Sequence, residues 1–292
     1  MRVRFFGVRG SIPTPGPSTV RYGGNSVCAE VRLADDTRII LDAGTGIREA
    51  GKAIAHEGYR GKIHMLITHA HWDHIMGLPF FGPVYDKHAT LVFHPMTDAA
   101  RDRTRDPIVF DGIHFPVRFS DLPATFERVD QNDVCHRIGS AVIRKIGLNH
   151  PGGAVGFRID DDDGTSVCYL TDNELLPPAH PKGTGSPGSS LAHDELAAFA
   201  HGTTLMIHDA QYLASDMPAK RGWGHSVVDD VLALAKQAEV RAVALHHHDP
   251  DRDDDALDAI GRTIAAWAAP AGIGAHVARE GQELDLAAIS KG

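Results

Sequence analysis

Cysteine is scarce in this 292-residue chain: Cys28, Cys135 and Cys168 stand far apart and form no CxxC pair. That spacing excludes a disulfide framework and a thiolate metal site, and leaves the three as buried small hydrophobes. Long apolar runs are missing too, so no stretch approaches the roughly 20 residues that a membrane span needs. The opening "MRVRFFGVRG" reads as a strand and not as a secretory signal, so a cytoplasmic location without a membrane partner is the default expectation. Positive charge is in short supply: 29 Lys and Arg face 38 Asp and Glu, a net charge of −9 with His neutral. Long nucleic acid takes most of its affinity from phosphate neutralisation, so none is expected as a partner. A small anionic substrate held by a metal remains compatible.

What the chain does have is apolar residues enough for a core, 42% of the total, and 19 histidines, several beside aspartates. Its first third reads as strands: "RVRFFGV", "SVCAEVRLA" and "TRIILDAG". A helical pattern, "GIREAGKAIAHEG", precedes the strands "KIHMLIT" and "ATLVFHP". Residues 97–137 read as a covering segment, with Phe110, Phe115 and Phe119 set between prolines. Strands return from "HRIGSAVIRKIGLNHPGGAVGFRIDDDDGTSVCYLTD", with an acidic turn at Asp160 to Gly164, and residues 177–192 read as a loop. Then strands and helices alternate: "HDELAAFAHG", "TTLMIHDA", "SVVDDVLALAKQAEV" with Ser226 as its N-cap, "RAVALHH", "DDALDAIGRTIAAWAA" and "GAHVARE". This order predicts an α/β (α+β) chain of two sheets face to face with helices outside. No interior linker is evident, so residues 1–292 are expected to form a single domain.

The stretch "THAHWDH", residues 68–74, crowds three histidines and an aspartate at the end of a strand. His69 and His71 lie two apart and share a face, so both can reach one cation, while Asp73 and His74 in the turn can reach a second. A dinuclear hydrolytic site needs partners from other strand ends. Candidates are His150 in "LNHPGG", Asp172 in "YLTDNE", His208 and Asp209 in "MIHDAQ", the run His246 to His248, and Asp42 in "ILDAGTG".

These motifs, in this order, resemble the metallo-β-lactamase fold superfamily, whose H-x-H-x-D-H signature stands here at residues 69–74. "FFGVRGSIPTPGP", "LDAGTG", "LNHPGGAVGFRI", "YLTD", "MIHDA", "GWGHS" and "ALHHHDP" extend the resemblance over nearly the whole chain, toward the phosphodiesterase branch that includes ribonuclease Z. The resemblance implies a four-layer αββα sandwich. It implies one cation on His69, His71 and His150, a second on Asp73, His74 and a histidine of the triple run, and Asp172 as the bridge. His247 is favoured in that run because it follows the apolar strand pattern by one residue, with His246 and His248 left open. Asp42 would orient a ligand. Two divalent ions are implied; imidazole and carboxylate without thiolate suit zinc, with manganese and iron open.

Asp209 and His225 match the pair that serves ribonuclease Z-like enzymes as a proton donor near the leaving group. A carboxylate on an imidazole fixes its tautomer and raises its pKa, keeping it able to donate near neutral pH. The expected chemistry is therefore metal-hydroxide attack on a phosphodiester with His225 as general acid, and Asp73 counts among both ligands and catalytic groups. True ribonuclease Z holds tRNA with an arm between the third-ligand and bridging-aspartate motifs, whereas only 21 residues separate His150 from Asp172 here. A small cyclic nucleotide or cyclic phosphate is the expected substrate, with Phe rings of 108–119, His114 and the loop 177–192 as walls. Ester, thioester or lactone hydrolysis by the same ions is the alternative, and it needs no acid at position 225. A di-iron redox or sensory protein would usually bring a flavin domain, and none is evident. A homodimer is the default assembly.

Overall fold

Two seven-stranded sheets organise the described residues, which in this computed structural model are 1–94, 108–113, 115–129, 135–175 and 193–291. The first sheet holds β1 (Arg2–Gly7), β2 (Cys28–Arg32), β3 (Arg38–Leu41), β4 (Ile63–Leu66), β5 (Thr90–His94), β6 (Thr125–Arg128) and β14 (Glu283–Asp285). Its order is β14-β1-β2-β3-β4-β5-β6, parallel from β3 to β6. The second holds β7 (Cys135–Ile138), β8 (Ala141–Leu148), β9 (Ala154–Asp161), β10 (Ser166–Leu170), β11 (Leu205–Asp209), β12 (Ala242–His246) and β13 (Gly274–Val277), in the order β13-β12-β11-β10-β9-β8-β7. Here the run β10 to β13 is parallel.

Strand β10, "SVCYL", is buried at every position, and the period of two explains why. Val167 and Tyr169 face the other sheet and share one core with its Phe5 and Leu41, while Cys168 and Leu170 face the helices. Strands covered on both faces read as continuous apolar runs and not as alternation. The covering helices carry apolar stripes to match. In α1 (Ile47–His56) the buried positions Ile47, Ala50, Gly51 and Ile54 recur at helical spacing and pack on the first sheet. α3 (His193–Ala200), α5 (Val228–Gln237) and α6 (Asp254–Ala271) cover the second. The short helices α2 (Trp72–Ile75), α4 (Met217–Lys220) and α7 (Leu286–Ile289) complete the set among the described residues. The layers are thus α, β, β and α.

Several expectations change. Cys135 is exposed, while Cys28 and Cys168 are buried as small hydrophobes. Ser226 does not cap α5, whose N-cap is Val227 without a side-chain bond; its hydroxyl is bound elsewhere. Asp253 caps α6 instead, accepting from Ala256 N at 2.8 Å. Phe110 is buried in the apolar layer beneath the first sheet, and Phe115 and Phe119, partly buried, pack against it. His114, residues 95–107 and the loop 177–192 lie outside the described residues. No helix among the described residues is long and apolar enough to cross a membrane.

Candidate metal centre

In open parallel sheets, ligands bind at the carboxyl ends of the strands. Here two such edges face one another. Asp42 follows β3, the hexamer follows β4, Asp172 follows β10, Asp209 ends β11 and His247 follows β12. Three of these residues turn sharply as the chain leaves its strand: Asp42, Asp172 and His247 have φ of 59°, 58° and 58°. Left-handed backbone at a non-glycine residue costs about 1 kcal/mol or more and is held only where the surroundings enforce it.

The convergence is tight. His69 Nε2 and His150 Nε2 stand 2.9 Å and 3.0 Å from His71 Nδ1. Asp172 Oδ2 faces the same three, 3.6 Å from His69 and 3.5 Å from His150. Its other oxygen, Oδ1, lies 3.1 Å from His74 Nε2 and 3.0 Å from His247 Nε2. Asp73 Oδ2 closes the second group at 3.3 Å from both imidazoles. Of the triple run, only His247 enters this group. His246 Nε2 is bonded to Gly7 O and His248 Nε2 to Ala278 O. His208 is buried against Asp209 O, at 2.6 Å, and stays outside both groups.

The outer nitrogens decide what the inner ones can do. Asp42 accepts from Thr68 N and binds His74 Nδ1 at 2.9 Å, while Thr68 Oγ1 lies 3.0 Å from both Asp42 Oδ1 and His69 Nδ1. His150 Nδ1 donates to Gly224 O at 3.1 Å, and His247 Nδ1 lies 2.9 Å from Gln211 Oε1. With each outer nitrogen carrying the proton, the inner Nε2 atoms present lone pairs to the oxygens of Asp172. Lone pairs facing lone pairs repel unless positive charge lies between them. His74 Nε2 is buried there without a hydrogen-bond partner. The donor set therefore suits two cations bridged by one carboxylate.

The electrostatics agree. Burial pushes His69 and His71 down and His150 to about 4, which keeps these imidazoles neutral and able to ligate. Burial opposes charge on His74 as well, but Asp172, Asp73 and Asp42 raise it well above the usual imidazole value. Burial also works against the carboxylates, yet the imidazoles around them hold Asp73 and Asp172 low. The pocket gathers negative charge that wants a positive partner.

His225 lies over this centre, its ring 5.2 Å from His150 and 4.8 Å from His247. Its Nδ1 is 2.7 Å from Asp209 Oδ2. Asp209 is held in turn by Gln211 N at 3.0 Å and Asn173 N at 3.3 Å. Among all these groups His71 alone is exposed, so the centre opens to solvent on that side. Three supporting residues were not read from the sequence. Gln211 orients His247, Ser11 N donates to Asp73 Oδ2 at 2.8 Å, and Tyr169 donates to Asp42 Oδ2 at 3.0 Å. Ser11 carries one trace, since it precedes "IPTPGP" in a motif that the family resemblance already marks.

Residues 37–248 match the family described as Beta-lactamase superfamily domain. Ribonuclease Z from Staphylococcus haemolyticus is 24% identical over 286 residues, covering 85% of this chain and 88% of that protein. The metallo-beta-lactamase fold protein YhfI from Bacillus subtilis superposes with a TM-score of 0.67 at 17% identity, covering 97% of this chain and 98% of that one. A diphosphatase from the PhnP family superposes with a TM-score of 0.66 at 17% identity, covering 97% of each chain. At such identity the two structures speak for the fold.

Proposed function

Because the chain belongs to the β-lactamase superfamily, we propose that it is a dinuclear metal-dependent phosphodiesterase acting on a small cyclic nucleotide or cyclic phosphate. His69, His71 and His150 would hold one divalent cation and Asp73, His74 and His247 the other, with Asp172 between them and zinc the first choice. Bound there, the pair would supply Lewis acidity to a shared water and a counter-charge for the phosphoryl oxygens. Residues 1–292 are read as a single domain, since both groups draw on both sheets.

The observation that carries the phosphodiester reading is the Asp209–His225 pair resting on the centre. Asp209 binds His225 at Nδ1, which leaves Nε2 to hold the proton that a departing alkoxide needs. Acyl transfer to water places no such demand on this position. A small substrate is supported by the segment between His150 and Asp172, which is spent on the β9–β10 hairpin within the second sheet. Ribonuclease Z among the relatives makes tRNA the alternative substrate, and the net charge of −9 weighs against it.

The test combines metal analysis with turnover of bis(4-nitrophenyl) phosphate, a thioester and a panel of cyclic nucleotides. Metal-replete protein should split the phosphodiesters, and His225→Ala should slow alkoxide release by about 10²–10⁴-fold while sparing 4-nitrophenolate release. Turnover of the thioester alone, or full activity of the variant on the cyclic nucleotides, would refute the proposal.

A further inference from the structure

The turn that carries His225 is built around an outward-facing indole. Gly222 and Gly224 both have positive φ, 83° and 87°, a conformation open to glycine. The buried carboxylate of Glu174 accepts from Gly222 N at 2.9 Å and from Gly224 N at 3.1 Å. Ser226, also buried, donates to Asn173 O at 2.5 Å and accepts from Leu175 N at 3.1 Å. The segment just after Asp172 thus grips the turn on both sides of Trp223. Gly224 sits so close to His150 that a β-carbon there would collide with the imidazole.

Between those anchored glycines, Trp223 stands 55% exposed, two residues from His225. Lys220 Nζ lies 4.2 Å from the ring centroid, a cation–π contact that steadies the indole. A lone exposed tryptophan would need no explanation. Yet Trp72, between His71 and Asp73, is also 55% exposed, so two of the chain's three tryptophans are exposed within two residues of groups of one centre. Lys220 adds positive charge beside Trp223, in a chain whose net charge is −9. A rigid indole beside a cation suits a ligand with a flat π-face and an anionic group.

We propose that Trp223, steadied by Lys220, is the stacking platform for the nucleobase of a nucleotide substrate whose phosphoryl group enters the metal centre. The proposal rests on the phosphodiesterase reading and narrows its substrate class from cyclic phosphates in general to nucleotides. Glu174 is a positioning residue that acts through the turn.

Isothermal titration of metal-loaded protein with adenosine monophosphate and with ribose 5-phosphate isolates the base, because the two ligands share sugar and phosphate. Wild-type protein should bind adenosine monophosphate roughly tenfold more tightly. Trp223→Ala should erase that preference while leaving ribose 5-phosphate unchanged, and Trp223→Phe should retain most of it. Equal affinities in wild type, a preference that survives in Trp223→Ala, or a parallel loss of both ligands would overturn the platform. Turnover of bis(4-nitrophenyl) phosphate by the same sample separates the two readings: its absence counts against the phosphodiesterase alone, because the binding comparison involves no chemistry.

Discussion

His225 lies almost flat against His247, with ring centroids 4.8 Å apart and planes 23° apart. The proposed proton donor is thereby set against a candidate metal ligand, where nearby cations would work to discharge it. Asp209, at 2.7 Å on the far nitrogen, is the counterweight.

From this balance follows a pH dependence. Burial lowers His225, but Asp209 outweighs it and raises the group to about 9. A general acid works while protonated, so activity should fall as the pH rises through the His225 value. Asp209→Asn removes the opposing charge and should shift that alkaline limb down by about 1–3 pH units. The same raised value stabilises the fold fully below the ordinary 6.5, and that contribution is lost as the pH rises through about 9. A pH–rate profile identical to wild type would remove Asp209 from the mechanism.

Asp172 turns one oxygen to each histidine group, so its removal should affect both. Asp172→Ala is expected to bind fewer than two metal equivalents and to lose turnover by at least about 10²-fold. Metal analysis after dialysis reads the stoichiometry. Two ions retained at wild-type affinity would show that the carboxylate does not bridge.

Gln211 touches no candidate metal position, yet its Oε1 lies 2.9 Å from His247 Nδ1. Groups that orient a ligating imidazole typically matter by about 10–100-fold in metal affinity or activity. Gln211→Ala should show a loss of that size in a competitive chelator titration. Gln211→Glu, which keeps the acceptor, should recover most of it.

Stability should depend on the layer between the sheets more than on any surface pair. Ile159 is fully buried there among residues of both sheets. Ile159→Ala should cost about 2–5 kcal/mol in urea unfolding, with turnover per folded molecule preserved. A loss below about 1 kcal/mol would mean that the layer collapses around the gap.

The fold class and the chemistry of the centre were legible because both rest on local pattern. A strand covered on both faces must be an apolar run, as in "SVCYL", and one strand end can offer several candidate ligands in close sequence, as in "HAHWDH". The order of the later motifs then carried the family resemblance. Ser226 departs from the N-cap expectation because a cap is inferred from neighbours in sequence, while its hydroxyl is claimed by Asn173 and Leu175 about 50 residues away. Residue types and their order were thus enough to name the groups that would bind metal. Tertiary structure alone decided which histidine of the triple run turns inward, because a single left-handed residue at the end of β12 sets that direction. It alone revealed Gln211 and Glu174, since an orienting hydrogen bond has no spacing of its own and depends only on which loops the folded sheets bring together.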